Sequence, residues 1–423
     1  MPSPNAGRLL SVSAASSTSA WAVGLSWVGS GHSVIEHWNG AQWLLDTSQG
    51  TTNQNSALYG VTAISLNEAW VVGYTGSIDV PFYYGAHPLI EHYLNGAWSV
   101  ISNPSINGSL WSITAISSNN VWAVGYNHDT DNELIERWDG FSWSIIPSPL
   151  RTTSGALLHS ITAISATNIW AVGTSNWLGR QGQAIADHWN GVTWVMQDPP
   201  AQTDGNGSLF TSVSAVPVTG TVWAVGNTFG NSSNYQDTAI KAYYANGLWT
   251  VASDSQSRSY RFTAVVATAS EVDVIADMAT ERLVNGIWQI VPVEIPPHGG
   301  SLWSITSVPG STSFWAVGET YGGELIEQYS PSPISPPTVT NASFTGMEGQ
   351  TGAGIVQVHS ASRTLLTASG LPPFVSFKDN SNNTGTVTFT PKGGNAGNYI
   401  FTVTANDGMH TGKGTGTLQV SSG

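Results

Sequence analysis

Five carboxylates recur at one position of a repeated pattern: Glu36, Glu91, Glu136, Asp187 and Glu327. Carboxylates converging from different strands could hydrolyse glycosidic bonds by paired acid–base chemistry. A residue copied in five repeats fits better as the acceptor for a repeated backbone donor. His37, His92 and His188 share the next position, in three separate repeats. No His-x-x-x-His pair accompanies them, so a metal site gains no support. The run His128-Asp129-Thr130-Asp131-Asn132-Glu133 places oxygens at alternating positions, as at the start of a calcium loop, with Asp129, Asp131 and Glu133 as the candidate ligands. The glycine and distal glutamate that complete such a loop are missing, and a polar turn is the expectation.

A second group of residues suits recognition rather than catalysis. Aromatic and polar side chains gather in Gly/Ser/Asn-rich segments: Trp27 and His32; Tyr74, Phe82, Tyr83 and Tyr84; Trp177 and Arg180; Phe229 and Tyr235; and Tyr321. Rings presented from polar loops stack on sugar faces or anchor protein contacts. Packing locally beneath long loops is the alternative reading.

The elements that must position these residues follow from an internal repeat. Trp21-Ala22-Val23-Gly24 returns as Trp70-Val71-Val72-Gly73, Trp122-Ala123-Val124-Gly125, Trp170-Ala171-Val172-Gly173, Trp223-Ala224-Val225-Gly226 and Trp315-Ala316-Val317-Gly318. Successive tryptophans are 49, 52, 48, 53 and 92 residues apart, and the last gap holds a degenerate copy at Val272–Ala276. Each unit begins with a β-branched alternating strand such as Leu110–Ile116, and the Trp-Ala-Val-Gly strand follows a polar turn. A loop of variable length leads to a third strand such as Leu134–Trp138. An Asn-Gly or Asp-Gly turn, a strong hairpin signal, joins it to a fourth strand opened by Trp43, Trp98, Trp143, Trp194, Trp249 or Trp288. Seven units of four antiparallel strands describe an all-β, seven-bladed β-propeller over residues 1–330. Only Trp27 and Trp177, of 19 tryptophans, fall outside the blade pattern.

The seventh unit has no Gly-x-x-Trp strand. Its open edge is a template for strand addition, so self-assembly through this blade is one expectation. The proline-rich stretch 331–337 reads as a linker, and residues 338–423 as short alternating strands of a β-sandwich.

The small-residue-plus-Gly end of the second strand and the aromatic/turn/Trp hairpin resemble kelch-type propeller blades over residues 8–330. One glycine stands where that family has a pair. Leu366-Thr367-Ala368-Ser369-Gly370-Leu371-Pro372 and Gly397–Gly408 resemble bacterial immunoglobulin-like and cadherin-like modules of surface proteins, without an inter-sheet cysteine pair. Some of those relatives bind calcium, and only Asp379, Asn382 and Asp407 could do so in this domain. Sialidase-like propellers carry Ser-x-Asp-x-Gly-x-Thr-Trp boxes, which this chain lacks. Galactose-oxidase-like proteins pair the same two domain types but need a Tyr–Cys crosslink, and cysteine is absent.

Composition narrows the function further. The chain has 423 residues, 9% of them charged, and a net charge of −14. Residues 335–423 carry three acidic and four basic groups, so the excess negative charge belongs to the repeats. With only 12 Lys and Arg and no basic cluster, nucleic acid and anionic membranes are poor partners. No apolar run is long enough to span a bilayer, and no motif implies a cofactor. The reading that results is an extracellular or cell-surface, non-catalytic recognition protein. Its loop face would bind a glycan or a surface protein, and the sandwich would act as a spacer. The alternatives are a structural subunit assembling through the seventh blade and a glycan hydrolase or lyase.

Overall fold

The structure, a computed structural model, describes residues 7–26, 31–47, 55–76, 85–151, 155–176, 182–200, 207–229, 237–252, 261–269, 271–276, 279–284, 287–291, 299–329, 337–360, 364–406 and 411–423. Among them there is no helix. Two compact units divide the chain, one comprising Met1–Arg282 and Ile290–Ser330, the other Leu283–Gln289 and Pro331–Gly423.

Residues 7–329 form seven consecutive antiparallel sheets, each built from strands adjacent in sequence. Sheet 1 spans residues 7–45, sheet 2 56–100, sheet 3 108–145, sheet 4 157–196, sheet 5 208–251, sheet 6 262–291 and sheet 7 300–329. The first six have four strands; sheet 7 has three among the described residues. The hairpin turns follow from their residues. Asn95-Gly96 and Asn246-Gly247 take the two positive φ angles that a type I′ turn needs. In sheets 1, 3 and 4 the side chains of Asn39, Asp139 and Asn190 accept two backbone N–H groups each instead.

The first strands of neighbouring sheets pack on one another in succession, and that of sheet 7 returns to sheet 1. The arrangement is propeller-like, with the first strands innermost. Serine hydroxyls stitch this inner ring. Val61 N donates to Ser11 Oγ (3.2 Å), Ile161 N to Ser112 (3.3 Å), Val213 N to Ser160 (3.2 Å), Val265 N to Ser212 (3.1 Å), and Val12 N to Ser304 (3.2 Å), which links sheet 7 to sheet 1. Between sheets the core is aromatic. Five of the six second-strand tryptophans meet the fourth-strand tryptophan of the next sheet edge-on: Trp21 with Trp98, Trp70 with Trp143, Trp122 with Trp194, Trp170 with Trp249, and Trp315 with Trp43, at 5.2–6.0 Å.

The repeated glycine does not end the second strand. Gly24, Gly73, Gly125, Gly173, Gly226 and Gly318 lie inside it, and a Cβ on any of them would sit 1.8–2.0 Å from a carbonyl oxygen of the first strand. That carbonyl presses inward because the first strand of every sheet carries a β-bulge at the same place. Glycine and bulge are two halves of one feature, which turns the extra residue out of the ladder.

Residues 338–421 form two four-stranded sheets, one of them with a parallel pair of strands (Ala342–Met347 and Thr411–Ser421). They pack face to face over Val356, Val387, Phe389, Phe401, Val403 and Leu418. The proline-rich residues 331–336 lie outside the described residues, as does Asp407.

Candidate functional site

The bulged residues are Leu10, Tyr59, Trp111, His159, Thr211, Thr263 and Trp303, one from each sheet. Four of them, His159, Thr211, Thr263 and Trp303, line a cleft of about 930 Å³ together with Arg261, Glu319 and Tyr321. The aromatic arc continues from the cleft along the inner ring. Trp111 meets His159 edge-on at 5.4 Å, Tyr59 lies 4.9 Å from Trp111, and Tyr74 stacks 5.9 Å from Tyr59.

The cleft mixes flat apolar faces with fixed polar groups. The hydroxyls of Thr211 and Thr263 donate to Phe262 O and Leu302 O (2.7 Å each), bonds that cross to the next sheet and leave hydroxyl lone pairs as acceptors. Trp303 Nε1 is buried without an acceptor, a donor left for a ligand or water. Arg261, largely exposed, pairs with Asp237 at 2.8 Å. Burial holds the His159 imidazole down to about 4, so it is neutral at pH 7. Glu319 is the one carboxylate among the described lining residues.

Of the residues expected from sequence, Tyr321 is 95% exposed and lines the cleft. His32 is exposed at the start of its strand and Phe229 is half-buried just past the end of its own; neither lines the cleft. Tyr74 requires a correction. It belongs to the strand Glu68–Thr75 rather than a loop, and it is buried, because the strand runs on past Gly73 to pair Thr75 with Ser56. Trp27, Phe82, Tyr83, Tyr84, Trp177, Arg180 and Tyr235 lie outside the described residues.

The candidate calcium ligands face three different partners. Asp129 accepts Asn107 N (2.9 Å) and Nδ2 (2.7 Å), Asp131 accepts the Tyr126 hydroxyl, and Glu133 accepts Arg151 Nε (2.5 Å). The three repeated histidines stack on tryptophans: His37 on Trp21 (3.9 Å), His92 on Trp70 (3.8 Å) and His188 on Trp170 (4.4 Å). Burial lowers all three pKa values.

The repeated carboxylates Glu36, Glu91, Glu136 and Asp187 are fully buried, opposite Ala22, Val71, Ala123 and Ala171 of the second strand. Asp187 accepts Arg151 Nη2 from the connection entering its sheet, and both Glu136 carboxyl oxygens are buried without a hydrogen-bond partner. Burial pushes Glu136 up to about 8, against an ordinary value near 4.5. Between these values the folded chain holds a proton that the unfolded chain releases. Stability from this group is therefore present below pH 4.5 and lost as pH rises through 8, by up to about 1.4 kcal/mol per pH unit. Glu136→Gln is expected to flatten that dependence, so that the variant gains on the parent between pH 5 and pH 9 in urea midpoints. Parallel curves would show that Glu136 is ionised in the folded state.

No protein-family model matches the chain, and no curated protein matches it. Among solved structures, an ancestral GH74 enzyme is similar over 97% of this chain, at 11% identity and a TM-score of 0.52. This chain spans 62% of that enzyme's length, and the likeness is one of fold. A chimeric titin Z1Z2 matches 22% of this chain over 100% of its own, at 19% identity and a TM-score of 0.19. An endo-fucoidan hydrolase from glycoside hydrolase family 107 matches 31% of this chain and 23% of its own, at 13% identity and a TM-score of 0.21.

Proposed function

We propose that this chain is a glycan-recognition protein of the cell surface or extracellular space. Its repeats are read as seven kelch-like propeller blades, and its C-terminal sheets as an immunoglobulin-like spacer. The observation that carries the reading is the cleft in which bulged residues of four successive sheets meet Tyr321. Flat rings beside fixed donors and acceptors suit the apolar faces and hydroxyl edges of sugars. A recognition role is favoured over hydrolysis because the described lining residues offer aromatic faces with a single carboxylate, Glu319, where glycoside cleavage uses a pair.

The test is binding to a glycan array, followed by titration calorimetry of the best ligand against the parent, Trp303→Ala and Tyr321→Ala. Each variant is expected to weaken binding at least tenfold, about 1.4 kcal/mol. Release of reducing ends from a bound polysaccharide would replace this reading with a hydrolase. Retained affinity in both variants would move the site away from the cleft.

A further inference from the structure

The neutral polar groups of the cleft match hydroxyls and ring oxygens. Trp303 Nε1 is a buried donor without an acceptor. Asn227 accepts Phe262 N–H at its Oδ1 (3.1 Å), which leaves its amide N–H groups to donate. Thr211 and Thr263 direct their hydroxyl protons to Phe262 O and Leu302 O, so each offers lone pairs to a ligand. Such a set suits a ligand that both donates and accepts at many points, as a sugar does.

The charged groups are arranged differently. Arg261 is the one Lys or Arg among the described lining residues, and Asp237 already faces it at 2.8 Å. His159 is neutral at pH 7 and brings no positive charge. Glu319 has no counterion: among the described residues no cation or hydrogen-bond donor pairs with it. It is half-buried near the end of the strand Phe314–Thr320, with Ser301 and Glu324 opposite it in the ladder. A carboxylate with its lone pairs open accepts two sugar hydroxyls at once, and it repels a ligand that brings negative charge of its own.

We propose that Glu319 is the specificity-determining residue of the cleft, and that the ligand class it selects is uncharged glycan. Its carboxylate accepts a pair of hydroxyls from a neutral sugar and excludes uronic acids and sulfated sugars by like-charge repulsion. The net charge of −14 acts in the same direction at longer range, slowing the approach of a polyanion. The inference rests on the glycan-recognition reading and adds to it the charge class of the ligand.

The test presents the full chain with matched oligosaccharide pairs on one array: oligogalacturonides against their methyl esters, and glucose and galactose oligomers against their sulfated forms. Calorimetry then measures both members of each pair that binds. The neutral member is expected to bind about tenfold more tightly than its acidic counterpart. Raising salt from about 0.1 M to about 1 M shortens the screening length from about 10 Å to about 3 Å and is expected to shrink that gap in the parent. Glu319→Gln is expected to close most of the gap at an unchanged urea midpoint, and Glu319→Lys to reverse the preference. Equal binding of both members, a gap that salt leaves intact, or a gap that survives in Glu319→Gln would overturn the assignment while leaving glycan recognition standing. A parent chain that binds no member of any pair would overturn the recognition reading, and this inference with it.

Discussion

Replacing Arg151 with alanine is expected to destabilise the repeat unit by about 3–5 kcal/mol, the cost of leaving buried charges without their counterion. Arg151 stands in the connection from sheet 3 to sheet 4. Its three nitrogens donate to three carboxylates, each at 2.5 Å: Nε to Glu133, Nη1 to Asp198 and Nη2 to Asp187. The side chains of Arg151, Glu133 and Asp187 are all at least 95% buried. One cation among three anions leaves excess negative charge, and burial already holds Glu133 and Asp187 above the usual carboxylate range. Removing the cation raises both further. The folded variant then keeps protons that the unfolded chain gives up, so its stability falls more steeply with rising pH than the parent's. Urea unfolding at pH 5 and pH 8 checks this: the deficit is expected to be larger at pH 8. An equal loss at both values would mean that Arg151 acts through packing alone. Arg151→Met, which keeps much of the volume, separates the two contributions.

The repeat was legible because each copy restates a physical requirement. Tryptophan recurs where one sheet meets the next, and Asn-Gly recurs where the hairpin needs positive φ. Even the degenerate copy at Val272–Ala276 could be placed, since alternating apolar residues between turns still read as a strand. What periodicity could not express was the bulge. A strand pattern with one residue inserted looks like a strand with imperfect alternation, so Leu110–Ile116 reads as regular although Trp111 stands outside the ladder. The repeated glycine was misleading for the same reason. It resembles a strand end, and that reading placed Tyr74 in a loop.

The cleft residues nevertheless left a signal. Aligned on the bulge, the units read Leu9-Leu10-Ser11, Leu58-Tyr59-Gly60, Leu110-Trp111-Ser112, Leu158-His159-Ser160, Phe210-Thr211-Ser212, Phe262-Thr263-Ala264 and Leu302-Trp303-Ser304. The flanking positions are nearly constant: the first is a buried apolar residue, and the third is often the serine that stitches neighbouring sheets. The middle position changes its chemistry in almost every unit. A repeat protein holds constant what builds the scaffold and varies what each unit shows to the axis, so variation between fixed neighbours marks the side chains free to specialise. The same logic separates the repeated carboxylates and histidines, which are buried or half-buried in packing, from Tyr321, which no other unit copies.

Trp122→Ala carries the second large effect, an expected loss of about 3–5 kcal/mol. Trp122 is fully buried, and its ring joins two sheets. It lies 4.9 Å from Trp189 and 5.7 Å from Trp194, while the Arg137 guanidinium caps its other side at 5.1 Å. Its indole N–H donates to Asn120 Oδ1 at 2.9 Å. Truncation opens a cavity at the seam between sheets 3 and 4, removes two aromatic pairs and leaves Asn120 Oδ1 with Arg137 Nε as its donor. Trp122→Phe keeps a ring in the slot and is expected to lose less, which separates ring packing from the size of the cavity. Phe141→Ala is the control, because that ring is 91% exposed at a hairpin tip and its loss is expected to change stability by no more than about 0.5 kcal/mol. Equilibrium urea unfolding followed by tryptophan fluorescence and by far-UV circular dichroism decides the outcome. Coincident curves shifted only for the Trp122 variants would establish that the seams between sheets hold the ring together as one cooperative unit. A Trp122→Ala protein as stable as the Phe141→Ala control would mean that the seam relaxes to fill the space, and that the Ser-mediated inner ring carries the stability instead.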